Sequence, residues 1–206
     1  ALGFTALDSE GVVKWMNDAV EKGARGRLLV MANDVVPAGL VGSAPSAPAL
    51  IRKYLDAGGN VIWISDVPFY FVAAGRSEKT KWDYLGGRGV LGFDTVGNWQ
   101  ESGESKVSKT GEEWGLKGTW SSNRAVKPGD VTNVLATSPS GAAAAWTKQY
   151  ADGQLGFIRL WDGPVSNITD DMFGDLYKVA ARVLPRLSSE KKKGVIYLFQ
   201  PSDYYP

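Results

Sequence analysis

Four aspartates are the residues of this sequence best placed to do chemistry, because each follows a short apolar run that is typical of a buried strand. They are Asp34, Asp66, Asp94 and Asp162. The carboxyl ends of parallel strands meet along one rim of a sheet, and ligands of α/β proteins bind beyond that rim. Two carboxylates at a suitable separation can hydrolyse a glycosidic bond, and three oxygen ligands can hold Ca²⁺ or Mg²⁺.

The same aspartates also have a structural interpretation. Asp is frequent after strands because its side chain caps turns and the first turn of the next helix. Asn33 beside Asp34 favours recognition of a polar ligand over a simple cap. The sequence therefore predicts a rim that binds a ligand, with carboxylate catalysis as the alternative. It predicts neither a metal ion nor a cofactor.

The residue inventory bears on function more than any motif does. The 206 residues include no His and no Cys. His is the side chain most used as a general base and metal ligand, and Cys supplies thiol nucleophiles, disulfides and thiolate metal sites. Proton transfer near neutral pH would then need a strongly perturbed carboxylate, Lys or Tyr. We therefore predict no catalytic residue and no turnover on glutamine, ester or common glycoside substrates.

Length and charge exclude further classes of partner. A chain of 206 residues with 44% hydrophobic residues suits a single domain with its own core. The 23 basic and 22 acidic residues nearly cancel, which argues against nucleic-acid binding. No apolar run approaches the roughly 20 residues of a membrane-spanning helix. The first residue is Ala rather than Met, so we expect a processed or excised segment, extracellular or cell-surface, although a cytoplasmic location stays open.

The elements that would position the aspartates begin with a strand, a helix and a second strand. Apolar runs at 28–32 and 61–64 are unbroken rather than alternating, which is typical of strands buried on both faces of a parallel sheet. Between them, apolar residues recur with helical spacing over 46–57 before Gly58-Gly59 ends the pattern. We predict two adjacent parallel strands joined by a right-handed crossover helix.

The rest of the chain extends this unit. Caps and apolar stripes predict helices at 9–22 and 169–184, and Asp-Gly turn chemistry predicts a hairpin of strands at 142–150 and 154–161. Further predictions are a short strand at 90–93, an irregular or short-stranded insertion at about 98–130, and a C-terminal strand and tail at 186–206. The fold class is therefore α/β in one domain over 1–206, with a mainly parallel central sheet flanked by helices.

Aromatic residues in or beside loops could complete a binding surface, since aromatic rings hold sugars and other flat ligands. Tyr70 lies in an aromatic segment after the second strand, and Trp99 and Trp161 lie near predicted loops; packing in the core is the alternative. The Gly86–Gly89 segment matches neither phosphate-loop pattern. The predicted ligand-binding residues are Asn33, Asp34, Asp66, Tyr70, Asp94, Trp99, Trp161 and Asp162.

The order of motifs resembles the class I glutamine amidotransferase-like superfamily, in particular its trehalose-utilisation-like (ThuA-like), non-amidotransferase branch. The segments that carry the resemblance are "MANDVVP", "LIRKYLDAGGNVIWISDVP" and "YLGGRGVLGFD", followed by a hairpin at Asp152-Gly153 and Gly156. The resemblance implies a flavodoxin-like α/β fold. The amidotransferase branch uses a Cys nucleophile with a His partner, and this chain has neither, so no catalytic residue carries over.

Two hypotheses of function follow. The first is a non-catalytic, amidotransferase-like module that acts in assembly or ligand binding, with carbohydrate as a candidate ligand, within a larger exported protein. Such a module would have a protein partner or neighbouring domains. The second is a carboxylate-dependent hydrolase or other sugar-processing enzyme acting at the rim of the sheet.

Overall fold

A computed structural model describes residues 4–32, 35–45, 48–73, 79–93, 103–121, 124–161, 169–184 and 196–199. The strands are β1 (Phe4–Ala6), β2 (Leu28–Met31), β3 (Val35–Pro37), β4 (Asn60–Trp63), β5 (Phe71–Ala73), β6 (Lys79–Lys81), β7 (Glu104–Val107), β8 (Trp120–Ser121), β9 (Asn133–Thr137), β10 (Ala143–Lys148), β11 (Phe157–Arg159) and β12 (Ile196–Phe199). The helices are α1 (Ser9–Lys22), α2 (Ala38–Val41), α3 (Leu50–Asp56), α4 (Tyr84–Leu91), α5 (Lys109–Glu113) and α6 (Asp170–Val183).

In this part of the chain the main sheet has the strand order β1-β12-β2-β4-β11-β10-β9-β7-β8. The first five strands are parallel to one another, and in the pairing of β2 with β4 Val30 lies opposite Ile62. The remaining pairings are antiparallel, starting with the hairpin of β10 and β11. The adjacent parallel strands and the hairpin are confirmed. The expectation of a mainly parallel sheet holds only for its first half.

Helices cover both faces of the sheet, as predicted for an α/β protein. Along β2, Leu29 and Met31 join the core beneath α1, α2, α3 and α4, whereas Leu28 and Val30 join the core beneath α6. This alternation follows from the two-residue period of a strand. Both faces of β2 are fully buried, which explains why its sequence is an unbroken apolar run.

Helices α1 and α6 form because their amino ends are capped by a side chain and one face is apolar. The Asp8 carboxylate accepts a hydrogen bond from Gly11 N at 2.7 Å at the start of α1, and Thr169 Oγ1 accepts one from Met172 N at the start of α6. The apolar patterns of these strands and helices predict seven core residues, and all are buried except Leu50, which is only partly buried. The fully or nearly fully buried members of this set are Ile51, Tyr54, Ile62, Ile64, Leu176 and Val179.

One prediction of secondary structure was wrong. Residues 90–93 were expected to form a strand, but Val90 and Leu91 are the buried end of helix α4, because packing against the rest of the molecule overrode weak local propensity. The region 98–130 was expected to be an irregular or short-stranded insertion, and its described part contributes the short strands β7 and β8 to the main sheet, together with the helix α5.

A second sheet of three strands, β3-β5-β6, was not predicted. Its strands β3 and β5 are parallel, and β5 and β6 are antiparallel. Because β3 follows β2 and β5 follows β4, this small sheet lies beyond the carboxyl ends of the parallel strands. It therefore carries the chain past the rim at which the sequence placed a site.

Candidate functional site

The loop after β4 is fixed by the core and ends at the surface. Trp63 Nε1 donates a hydrogen bond to the Asp66 carbonyl oxygen at 2.8 Å. Phe69 is fully buried and packs against the rings of Trp63 and Phe157, with centroids 5.4 and 5.7 Å away. Its φ of 63° is uncommon for a bulky residue and persists only where the surroundings impose it. The next residue, Tyr70, is half-buried, so the core sets where its ring emerges.

An ion pair joins this loop to a distant part of the chain. Asp66 Oδ1 accepts hydrogen bonds from Arg124 Nε at 2.7 Å and from Val67 N at 2.8 Å. The side chains of Arg124 and Asp66 are 29% and 41% exposed. An ion pair this open to solvent contributes at most about 1 kcal/mol to stability. Its main effect is to place a guanidinium group and a carboxylate side by side on the surface.

Two tyrosines and a lysine adjoin this ion pair, since Arg124 lies close enough to Tyr84 to act on its hydroxyl. The rings of Tyr70 and Tyr84 meet edge to face, with centroids 6.1 Å apart and planes at 77°. Lys81 Nζ lies 5.1 Å from the centre of the Tyr70 ring and 3.6 Å from an Asp83 carboxylate oxygen. Both tyrosines are half-buried. Together they present aromatic surface flanked by charges of both signs.

The electrostatics of this surface are visible in two pKa shifts. A hydrogen bond with Tyr70 and the charge of Asp83 raise the pKa of the Lys81 ammonium group. Partial burial, the Asp83 carboxylate and Tyr70 raise the pKa of the Tyr84 hydroxyl, against the opposing effect of Arg124 and Lys81. Tyr84 therefore interacts with both cations and stays protonated at neutral pH. We call Asp66, Tyr70, Lys81, Tyr84 and Arg124 the rim cluster.

Of the predicted ligand-binding residues, the structure brings two together: Asp66 and Tyr70 both belong to the rim cluster. Trp161 does not belong to it, because it is 1% exposed and packs in the core beneath α6. Its burial agrees with the alternative interpretation, packing in the core. The other predicted residues lie outside the described part of the chain: Asn33, Asp34, Asp94, Trp99 and Asp162.

Three members of the rim cluster were not predicted. Lys81 and Tyr84 flank the turn between β6 and α4, and Arg124 lies 58 positions from Asp66 in the sequence. The tyrosine and lysine spacing around Asp83 gives no recognisable motif. Nothing in the sequence around Arg124 indicates its partner. Among the described residues, no group of three Asp or Glu side chains is arranged to hold a metal ion.

The fold and the rim cluster define an α/β protein with a mixed sheet and an aromatic, charged surface beyond its parallel strands. In the described residues, no helix has the length and apolar character needed to cross a membrane. The chain belongs to the MJECL34 family, whose profile matches residues 1–183. No curated protein and no solved structure matches it.

Proposed function

We propose that this protein is a non-catalytic binding module that holds a carbohydrate at the rim cluster. The observation that carries the proposal is the pair of half-buried tyrosines beside the Asp66–Arg124 ion pair. Sugar rings have apolar faces that pack on aromatic rings and hydroxyl edges that need donors and acceptors. The tyrosine rings supply the apolar surface, and the Asp66 carboxylate and the Arg124 guanidinium group supply the acceptor and the donors.

Binding is favoured over hydrolysis by the way the rim carboxylate is used. Asp66 Oδ1 accepts two hydrogen bonds from within the protein. A general base needs a lone pair directed at the substrate, and a glycosidase needs a second carboxylate at a set separation. Asp83, an acid beside the rim cluster, pairs with Lys81 and caps α4. Each acid therefore has an oxygen that holds a loop in place, which fits an Asp66 that binds a sugar hydroxyl better than one that acts as a general base.

The relation to amidotransferase-like proteins is part of the proposal. It is supported by the parallel strands β2, β4 and β11 and by a surface beyond their carboxyl ends. In the flavodoxin-like order the first strand is internal, whereas β1 lies at the sheet edge. From the resemblance we therefore keep two expectations only: the site lies beyond the carboxyl ends of the parallel strands, and the chain has no Cys nucleophile. A module of this kind would act inside a larger extracellular protein.

The test is a binding panel of cellohexaose, chitohexaose, mannohexaose and polygalacturonate, measured by isothermal titration calorimetry. At least one saccharide should bind, and Tyr70→Ala and Tyr84→Ala should each weaken it about tenfold or more. Tyr177→Ala is the matched control, because Tyr177 is 41% exposed on α6, away from the rim cluster, and it should bind as wild type does. Failure of every saccharide to bind would refute the proposal.

The same panel is assayed for reducing-end release to test the hydrolase. Turnover by the wild type that both Asp34→Ala and Asp66→Ala abolish, with the circular dichroism spectrum intact, would replace the binding module with the carboxylate-dependent hydrolase. The expected result is no turnover with any of the four saccharides.

A further inference from the structure

Helix α4 approaches the loop of the rim cluster more closely than any side chain would allow. An ideal Cβ atom built on Gly86 would lie 2.2 Å from the Phe69 carbonyl oxygen and 2.9 Å from the carbonyl carbon. Both are backbone atoms, so no change of side-chain rotamer could relieve the overlap. Gly89, one turn later, meets the Pro45 carbonyl oxygen at 2.5 Å in the same way.

The two segments in contact are the ones that carry the tyrosines. Phe69 immediately precedes Tyr70, and Gly86 follows Tyr84 by two residues on α4. The loop cannot yield, because Phe69 is fully buried in the aromatic core at a positive φ. A side chain at position 86 would therefore move the helix, and Tyr84 would move with it.

We infer that Gly86 is a positioning residue of the binding surface: its missing side chain sets the distance between Tyr70 and Tyr84. This inference rests on the proposed function for its consequence in binding, but the geometry it concerns exists without a ligand. It also accounts for the Gly86–Gly89 segment, in which glycines stand inside a helix although glycine disfavours helix interiors. The glycines are tolerated there because they permit backbone contact.

Gly87 on the same helix provides a matched control. An ideal Cβ atom on Gly87 would lie 3.6 Å from the Pro68 carbonyl oxygen and 3.9 Å from Phe93 Cδ2, which are ordinary contact distances. Gly86→Ala and Gly87→Ala thus add the same methyl group to neighbouring positions of one helix. Only the first should displace α4 from the loop.

The experiment uses protein labelled with ¹³C in its tyrosine rings, with Tyr70 and Tyr84 assigned from Tyr→Phe variants. Gly86→Ala should shift the ring resonances of both tyrosines and bring the Tyr84 pKa back towards its ordinary value, whereas Gly87→Ala should leave both unchanged. Affinity for the saccharide that binds in the panel of cellohexaose, chitohexaose, mannohexaose and polygalacturonate should fall about threefold to tenfold in Gly86→Ala only.

Each outcome decides a different point. Wild-type tyrosine spectra in Gly86→Ala, or equal changes in both variants, would overturn the positioning role. Shifted spectra without saccharide binding in any protein would leave the positioning role standing and refute the proposed function. If the Gly86→Ala variant does not fold, nuclear Overhauser contacts measured in the wild-type protein test the positioning role instead. Contacts from Gly86 Hα to Phe69 Hβ and between the two tyrosine rings are expected, and their absence would overturn the inference.

Discussion

Asp175→Ala removes a carboxylate that joins helix α6 to the segment after α5. Asp175 is 1% exposed, and its two oxygens accept hydrogen bonds from Lys117 N at 3.0 Å and from Gly118 N at 2.7 Å. Lys178 Nζ also donates to it, at 3.1 Å. The Asp175 carboxylate thus attaches residues 117–118, which lie within the predicted insertion at about 98–130, to helix α6.

The cost of Asp175→Ala in free energy of unfolding follows from the donors that would lose their acceptor. Gly118 is buried, so its N–H would lose its acceptor at the full cost of about 1–3 kcal/mol. Lys117 is exposed, and water can replace part of its bond. The Lys178 contact is partly exposed and adds at most about 1 kcal/mol. We expect Asp175→Ala to lower the free energy of unfolding by about 2–4 kcal/mol, and Asp175→Asn, which keeps one acceptor oxygen, by less.

Urea denaturation followed by tryptophan fluorescence measures this, with the m-value checked for constancy across variants. Asp171→Ala is the control, because Asp171 is exposed in the first turn of the same helix, and it should cost less than about 1 kcal/mol. A loss below about 1 kcal/mol for Asp175→Ala at unchanged m-value would show that the carboxylate does not hold the segment.

Three further predictions concern the core and the rim. Leu176→Ala should lower the free energy of unfolding by about 2–5 kcal/mol in urea denaturation, because Leu176 is 5% exposed and a cavity would remain; a loss under about 1 kcal/mol would contradict this. Burial raises the pKa of Tyr54 above its ordinary value, so the contribution of Tyr54 to stability is complete below about pH 10 and falls above it, by about 1.4 kcal/mol per pH unit. Burial also raises the pKa of Tyr150, so Tyr54→Phe should make the fall of stability above about pH 10 shallower without abolishing it; parallel pH curves for both proteins would refute the assignment to Tyr54. Asp83→Asn should lower the Tyr84 pKa measured by ¹³C NMR, because one neighbouring negative charge is lost; an unchanged pKa would exclude the interaction.

The sequence determined those parts of the fold that depend on neighbouring residues. Helix α1 was placed at 9–22 because its cap, Asp8, and its apolar stripe are local features. The strands β2 and β4 were found because an unbroken apolar run is the signature of burial on both faces. The same logic placed Asp66 beyond a strand end and so identified one end of the rim cluster.

Tertiary structure decided what no local pattern encodes. The final strand was predicted, but its place between β1 and β2 depends on pairing over the length of the chain. A strand was predicted at 90–93, where helix α4 ends, because glycine lowers helix propensity by about 1 kcal/mol per residue, whereas the close backbone approach at Gly86 and Gly89 accommodates the helix in the folded protein. Asp66 meets Arg124 across 58 positions. Periodicity and capping act within a few residues of one another, whereas strand order, close helix packing and the rim cluster depend on residues that only folding brings together.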